Sequence, residues 1–356
     1  MKVFKTNLTS SLFGIRNALG VPALLLFSAM TGFGSLAQEQ GLSLWISMLS
    51  TVLIWGMPGQ VVHVELYGLG APLIAVALGV AGANARFLPM TLSMMPLLRK
   101  APHHRRWNYL LVHMISINTW AEMMRKGDEI PVERRVAYFL GFSSTCMFAG
   151  VLGVIQGYLL LENMPKLVSL CLLFLVPIYF ALIMSNTTHP PFLLAFALGC
   201  LSGPIFHQWT PEWGLVISGT IAGTIAFLLR NHIPLLNQGK GPLVEASAWL
   251  IFLSAIFATY IWRFAAVMIS HRIEPNHPIF EWFTCLAYGI IAALVARTLV
   301  FPMGILQEIP LWQRLFSMVF AFLGFYLLGK RLWVGILFGE FTFLLLIWFH
   351  GFFWEG

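Results

Sequence analysis

Charge is scarce in this chain. Of 356 residues, 21 are Lys or Arg and 14 are Asp or Glu, so charged residues make up 10%, far below the roughly 25% of a soluble globular protein. The four cysteines, Cys146, Cys171, Cys200 and Cys285, stand singly in apolar runs, which leaves no disulfide framework and no paired-thiolate metal site. There is no Walker A loop, no HExxH, no paired-cysteine zinc motif and no GxSxG elbow. No enzyme template, cofactor or metal site is therefore expected, and ATP-driven transport would need a separate subunit.

What the chain has instead is apolar residues, 58% of the total, with a mean hydropathy of +0.81. That is the composition of an all-α, multi-spanning integral membrane protein. The length accommodates roughly ten to twelve helical segments of ~20 residues joined by short loops. The net charge of +7 would also suit nucleic acid, but the basic residues cluster between apolar blocks, at Arg99, Lys100, Arg105 and Arg106 and at Arg134 and Arg135. Such clustering follows the positive-inside rule, so the expected partners are a lipid bilayer and no nucleic acid. Lys2, Lys5 and Arg16 before the run Ala18 to Met30 imitate a secretory signal. Further spans follow directly, and an uncleaved first helix is expected.

Twelve apolar segments are expected, at about 17–37, 43–66, 72–98, 107–124, 136–161, 167–184, 190–206, 213–229, 243–268, 279–301, 311–328 and 332–349. Three continuous spans at the start would place the Arg99 to Arg106 cluster outside if the basic N-terminus is cytoplasmic. A re-entrant hairpin at Ser43 to Leu66 removes that conflict, and a spanning segment that violates the rule is the alternative. Trp107 to Met124 either spans or lies in the interface. Gly141 to Gly157 echoes the rhythm of the first helix, and each is followed by a segment carrying a proline, Pro177 and Pro58, as in repeat-built transporters. Asn231 to Pro242 reads as a linker between a first region, 1–230, and a smaller four-helix unit, 243–356. Gly153/Gly157, Gly199/Gly203, Gly219/Gly223 and Gly335/Gly339 have the spacing of close helix packing.

The stretch Trp55 to Pro89 concentrates the polar residues. Gln60, His63, Glu65, Asn84 and Arg86 are costly in hydrocarbon and mark a bundle interior, a partner or a water-filled cavity. Pro58 lacks a backbone donor and lies between glycines, so GMPG is expected to break the helix. Unwound backbone survives at membrane depth only where protein buries it or a cavity meets it. Arg86 or freed amides near Pro58 and Gly59 could hold a carboxylate; Gln60 or Glu65 could meet an ammonium. In the plainer reading, Arg86 pairs with Glu65 and His63 is a satisfied core histidine rather than a proton carrier. Glu122, Arg263, Arg297 and Glu340 are further candidates for proton coupling or ion pairing, with Glu340 expected to find Arg297 or Arg263.

Several pieces in order carry a resemblance: FGSLAQEQGLS at 33–43, PGQ at 58–60, GAPL at 70–73, NARF at 84–87 and the following LSMMPLLR. On these, the first region resembles the large subunit (AzlC type) of the branched-chain amino acid exporter, or azaleucine-resistance permease, family. TYIWRF at 259–264 and AALVARTLVFP at 292–302 resemble the small subunit (AzlD type), so the chain is similar to a fusion of the two. The resemblance implies export of leucine, isoleucine, valine and methionine across a bacterial cytoplasmic (inner) membrane, with a small amino acid as substrate and proton motive force as the simplest energy source. Where many relatives have an acidic pair, this chain has INTWAE at 117–122, which leaves Glu122 alone there. A second reading remains, a non-transporting membrane scaffold whose buried charges set helix pairing; either is compatible with a homo-oligomer.

Overall fold

A computed structural model describes residues 6–102, 106–163, 166–185, 190–229, 248–269, 278–302 and 304–354. The expected linker at 231–242 lies outside them. Among the described residues there are sixteen α-helices and no strand. They are α1 (Asn7–Ala18), α2 (Val21–Glu39), α3 (Leu44–Leu53), α4 (Met57–Gly68), α5 (Leu73–Asn84), α6 (Phe87–Arg99), α7 (Trp107–His113) and α8 (Ile117–Lys126), followed by α9 (Arg135–Asn163), α10 (Lys166–Ser185), α11 (Pro190–Trp209), α12 (Gly214–Leu229), α13 (Ala248–Ile269), α14 (Pro278–Val300), α15 (Leu311–Leu327) and α16 (Leu332–Trp354).

The excess over twelve segments is confined to the first third. One helix, α1, lies upstream of the first expected segment, and the next three segments are each split in two. Four described helices are long and apolar enough to cross a bilayer: Val132–Leu160, Pro191–Trp209, Glu281–Val300 and Leu332–Phe349. Counting the pair α1 and α2, bent by 57°, and the pair α5 and α6, bent by 46°, the number is six. The breaks have different local causes. Between α3 and α4, Gly56 is extended and Pro58 occupies the first turn of α4, where its missing N–H costs nothing. Between α7 and α8, Ser116 and Thr119 form a reciprocal capping box that starts the new helix. Pro177, by contrast, sits inside an unbroken α10, so the proline echo does not extend to a second break.

Small residues set the packing. A Cβ on Gly153 or Gly157 of α9 would strike the carbonyls of Phe27 or Thr31 on α2, and one on Gly34 of α2 would strike that of Val154. Ser35 donates its hydroxyl to the Gly157 carbonyl at 2.9 Å, so the two echoing segments face each other across this seam. The other three pairs of spaced glycines also lie at helix contacts: Gly199 and Gly203 against α14, Gly219 and Gly223 against Leu286 and Ile290 of α14, and Gly335 and Gly339 against α10 and α15. Without a hydrophobic drive between helices in lipid, such backbone approach is a main source of association.

The last four helices do not make a bundle of their own. Helix α13 packs along α5, α6 and α4, α14 packs into α11, α12 and α5, and the hairpin α15–α16 leans on α10. Bulky side chains such as Phe257, Phe316, Leu327 and Phe341 stay exposed on the outer faces, as expected of surfaces turned to lipid tails.

Candidate functional site

The GMPG break is buried on every side. Met57 through Leu66 are all buried, and no side chain caps the first turn of α4. Trp55, 2% exposed, carries a φ of 43°, a left-handed conformation rare for a bulky residue and a sign of local strain that the surroundings must hold. Asn84, the last residue of α5, presses on the break: a Cβ on Gly59 would strike its amide, and one on Gly56 would come within 2.8 Å of its Oδ1 and of the Phe87 ring. Glycine at both positions is what lets the α5–α6 break approach the α3–α4 break. Asn84 then donates Nδ2 to Thr259 Oγ1 of α13 at 2.9 Å, while Gln60 donates Nε2 to Thr51 at 3.0 Å.

Arg263 of α13 anchors the broken backbone. Its Nη1 donates to the carbonyls of Val112, His113 and Ile115 at 2.6, 2.9 and 3.0 Å, and its Nη2 donates to the Trp55 carbonyl at 2.8 Å. These carbonyls lie at and just beyond the ends of α3 and α7, where Val112 also accepts the Ile115 N–H at 3.2 Å, and a guanidinium bonds them while countering the negative helix ends. The same guanidinium lies 3.9 Å over the Phe87 ring, and Trp55 Nε1 donates to the Met114 carbonyl at 3.3 Å. Arg263 is thus a backbone clamp, and its charge is unavailable to Glu340.

Arg297 is also taken. It forms an ion pair with Glu65, and both side chains are 3% exposed. The expected pairing of Arg86 with Glu65 is therefore replaced, because α14 brings Arg297 to the Glu65 face of α4. The expected pairing of Glu340 with Arg297 or Arg263 fails for the same reason. Glu65 also lines a narrow cleft with Leu36, Glu39, Gln40, Pro177 and Thr298, roofed where Glu39 accepts the Ile305 N–H at 2.8 Å.

Arg86 keeps its charge to itself. It is 8% exposed, sits at the break between α5 and α6, and has no hydrogen bond or ion pair among the described residues. Phe87, 6.0 Å from its guanidinium carbon, and the phenols of Tyr179 and Tyr288 are its neighbours. The buried polar atoms left without a partner include Arg86 Nε, Asn84 Oδ1, Gln60 Oε1 and both ring nitrogens of His63. His63 is accordingly no satisfied core histidine; its ring lies 6.1 Å from that of Phe252. Each such orphan costs about 1–3 kcal/mol, and together they describe an interior equipped to bond something other than itself.

Glu122 stands elsewhere. At 7% exposure it accepts from Arg125 at 2.5 Å and Lys126 at 2.9 Å within α8, and from Tyr138 at 2.7 Å. Burial alone would raise its carboxyl, but the bonds from Tyr138, Arg125 and Lys126 hold it below the ordinary carboxylate value. Trp55, Thr259 and the clamping role of Arg263 went unread in the sequence. A positive φ leaves no trace at a tryptophan, and a threonine in an apolar helix is unremarkable. Arg263 stood out only as a charge.

The AzlC protein family model matches residues 22–164, and that of the branched-chain amino acid transport protein (AzlD) family matches residues 248–347. No curated protein and no solved structure matches the chain.

Proposed function

From a chain that belongs to the AzlC family through residues 22–164 and to the AzlD amino acid transport family through residues 248–347, we propose a secondary exporter of leucine, isoleucine, valine and methionine in the bacterial inner membrane. The observation that carries this reading is a buried cation without an anion and, at the same pair of helix breaks, buried amide acceptors without donors: Arg86, Asn84 Oδ1 and Gln60 Oε1. A zwitterionic amino acid supplies both missing charges. Its carboxylate bonds Arg86, aided by the first turn of α4 at Pro58 and Gly59, which no side chain caps. Its ammonium donates to Asn84 and Gln60, and its apolar side chain lies among Phe87, Tyr179 and Tyr288. The proton motive force supplies the energy, with ~2.3 kcal/mol available per charge per 100 mV.

The test feeds leucine- or isoleucine-containing dipeptides to cells lacking the protein and to cells expressing it. Expression should lower the internal free amino acid and speed its appearance outside. Unchanged efflux at good expression would sink the exporter reading and leave a scaffold.

A further inference from the structure

Glu65 and Glu340 both lie in the helical interior and are treated differently. Glu65 has Arg297. Glu340, on α16, has both carboxyl oxygens buried with no backbone, hydroxyl or amide group bonding them, and no cation among the described residues pairs with it. The one polar group in reach among them is the Cys171 thiol of α10, a weak donor that can offset little of the cost of a buried charge. From the other neighbour, α15, Arg314 spends its guanidinium on the carbonyls of Leu299 and Ile309, and Tyr326 donates to the Ser185 carbonyl. On α10, Tyr179 lies near Arg86 instead.

The seam around this carboxyl is tight. A Cβ on Gly339 would come within 2.8 Å of Ala321 and Ile178, and one on Gly335 within 2.6 Å of Leu182. The Phe174 and Phe343 rings stack at 4.2 Å. An ionised carboxylate here would be desolvated without compensation, at a cost of several kcal/mol, whereas the neutral acid is tolerated. Across the seam α10 presents Cys171, Phe174, Ile178 and Leu182, and on its other side it carries Pro177, which removes one helical hydrogen bond and gives that helix a place to bend. That side, through Leu173, Val176 and Pro177, lines the Glu65 cleft. One helix therefore borders both the Glu340 carboxyl and the cleft that Glu65 lines.

We propose that Glu340 is a proton-binding site: its carboxyl holds a proton while α16 lies against α10, and the O–H bond breaks, passing the proton to water, when the two helices part. The proposal rests on the proton-driven exporter reading and gives it a residue. Bending of α10 at Pro177 links the seam to the Glu65 cleft, so proton release at one and rearrangement at the other occur together.

Two measurements on the full chain in liposomes test it. Dicyclohexylcarbodiimide, an apolar reagent for protonated carboxyls, should label Glu340 at pH 7, located by peptide mass spectrometry; no label there overturns the proposal. Glu340→Gln, which mimics the neutral acid, should lower leucine accumulation driven by a pH gradient at least tenfold while leucine–leucine exchange stays within twofold. Gradient-driven transport equal to wild type would overturn it. If the variant does not insert, labelled wild type takes its place in the same comparison. A wild-type protein that exchanges no amino acid at all would instead defeat the exporter reading, and the labelling result would still decide whether Glu340 carries a proton.

Discussion

Glu65 and Arg297, 232 positions apart in the chain, form one ion pair in which each side chain is 3% exposed. It joins a helix of the first region to a helix of the second, in a place where both charges are almost wholly withdrawn from solvent. Removing one partner of such a pair costs about 3–5 kcal/mol, because the other is left buried and uncompensated. Arg297→Ala and Glu65→Ala should each lower the melting temperature in detergent sharply, and the exchange Glu65→Arg with Arg297→Glu should recover much of the loss. Single variants as stable as wild type would remove the pair from the fold's support.

Arg86 behaves oppositely. It has no internal bond to lose, so Arg86→Ala should leave thermal stability within about 0.5 kcal/mol or raise it, since a desolvated charge is removed. Substrate affinity should fall by a factor of ten or more, in line with the roughly 1.5–3 kcal/mol of a charge-assisted bond. Leucine binding measured by calorimetry in detergent checks this, and a variant that unfolds while retaining affinity would reverse the assignment.

For Arg263 the four carbonyls decide the outcome. Arg263→Lys keeps the charge but loses the planar fork that reaches two helix ends at once. It should therefore destabilise nearly as much as Arg263→Ala, by at least about 3 kcal/mol at roughly 1–3 kcal/mol per orphaned group. Full rescue by lysine in a thermal-shift assay would show that charge alone suffices.

Gly59→Ala places a methyl group against the Asn84 amide. Asn84 must then leave Thr259, and overpacking of this kind costs about 1–3 kcal/mol. Leucine efflux should fall severalfold with the protein still inserted, and Gly59→Ala combined with Asn84→Ala should regain stability without regaining transport. Undiminished efflux for Gly59→Ala would show that the breaks need not touch.

In α8, which is not among the helices long and apolar enough to cross a bilayer, Glu122 makes stability depend on pH. Its folded-state carboxyl is held below the ordinary value near 4.5, so the stabilisation is present above that value and is lost as the pH falls through the lower, folded one. Melting temperatures between pH 7 and pH 3 should drop at the acid end for the wild type and change less for Glu122→Gln. Parallel curves would assign the acid loss to other groups.

Much of the frame was legible in the residues. Scarce charge and long apolar blocks gave an all-helical membrane protein, and the spaced glycines found the seams, because both signals act locally. GMPG announced its break, since a proline between glycines lacks the donor a helix interior needs. The break at Met114 to Ser116 has neither proline nor glycine: its local signal is the quieter Ser116–Thr119 capping box, and Arg263 and Trp55 add tertiary bonds to the carbonyls of Met114 and Ile115.

The sequence by itself determined the class of the protein, its family resemblance and the polar residues that had to be hidden from lipid. Which of them found partners was decided by the tertiary structure alone. Glu65 took Arg297, Arg263 took the backbone, and Arg86 and Glu340 were left without an opposite charge among the described residues. Helical periodicity tells which face of a segment is polar, but a charge pairs with whatever helix packs against that face. Here the neighbours come from the far end of the chain, brought in by α13 and α14.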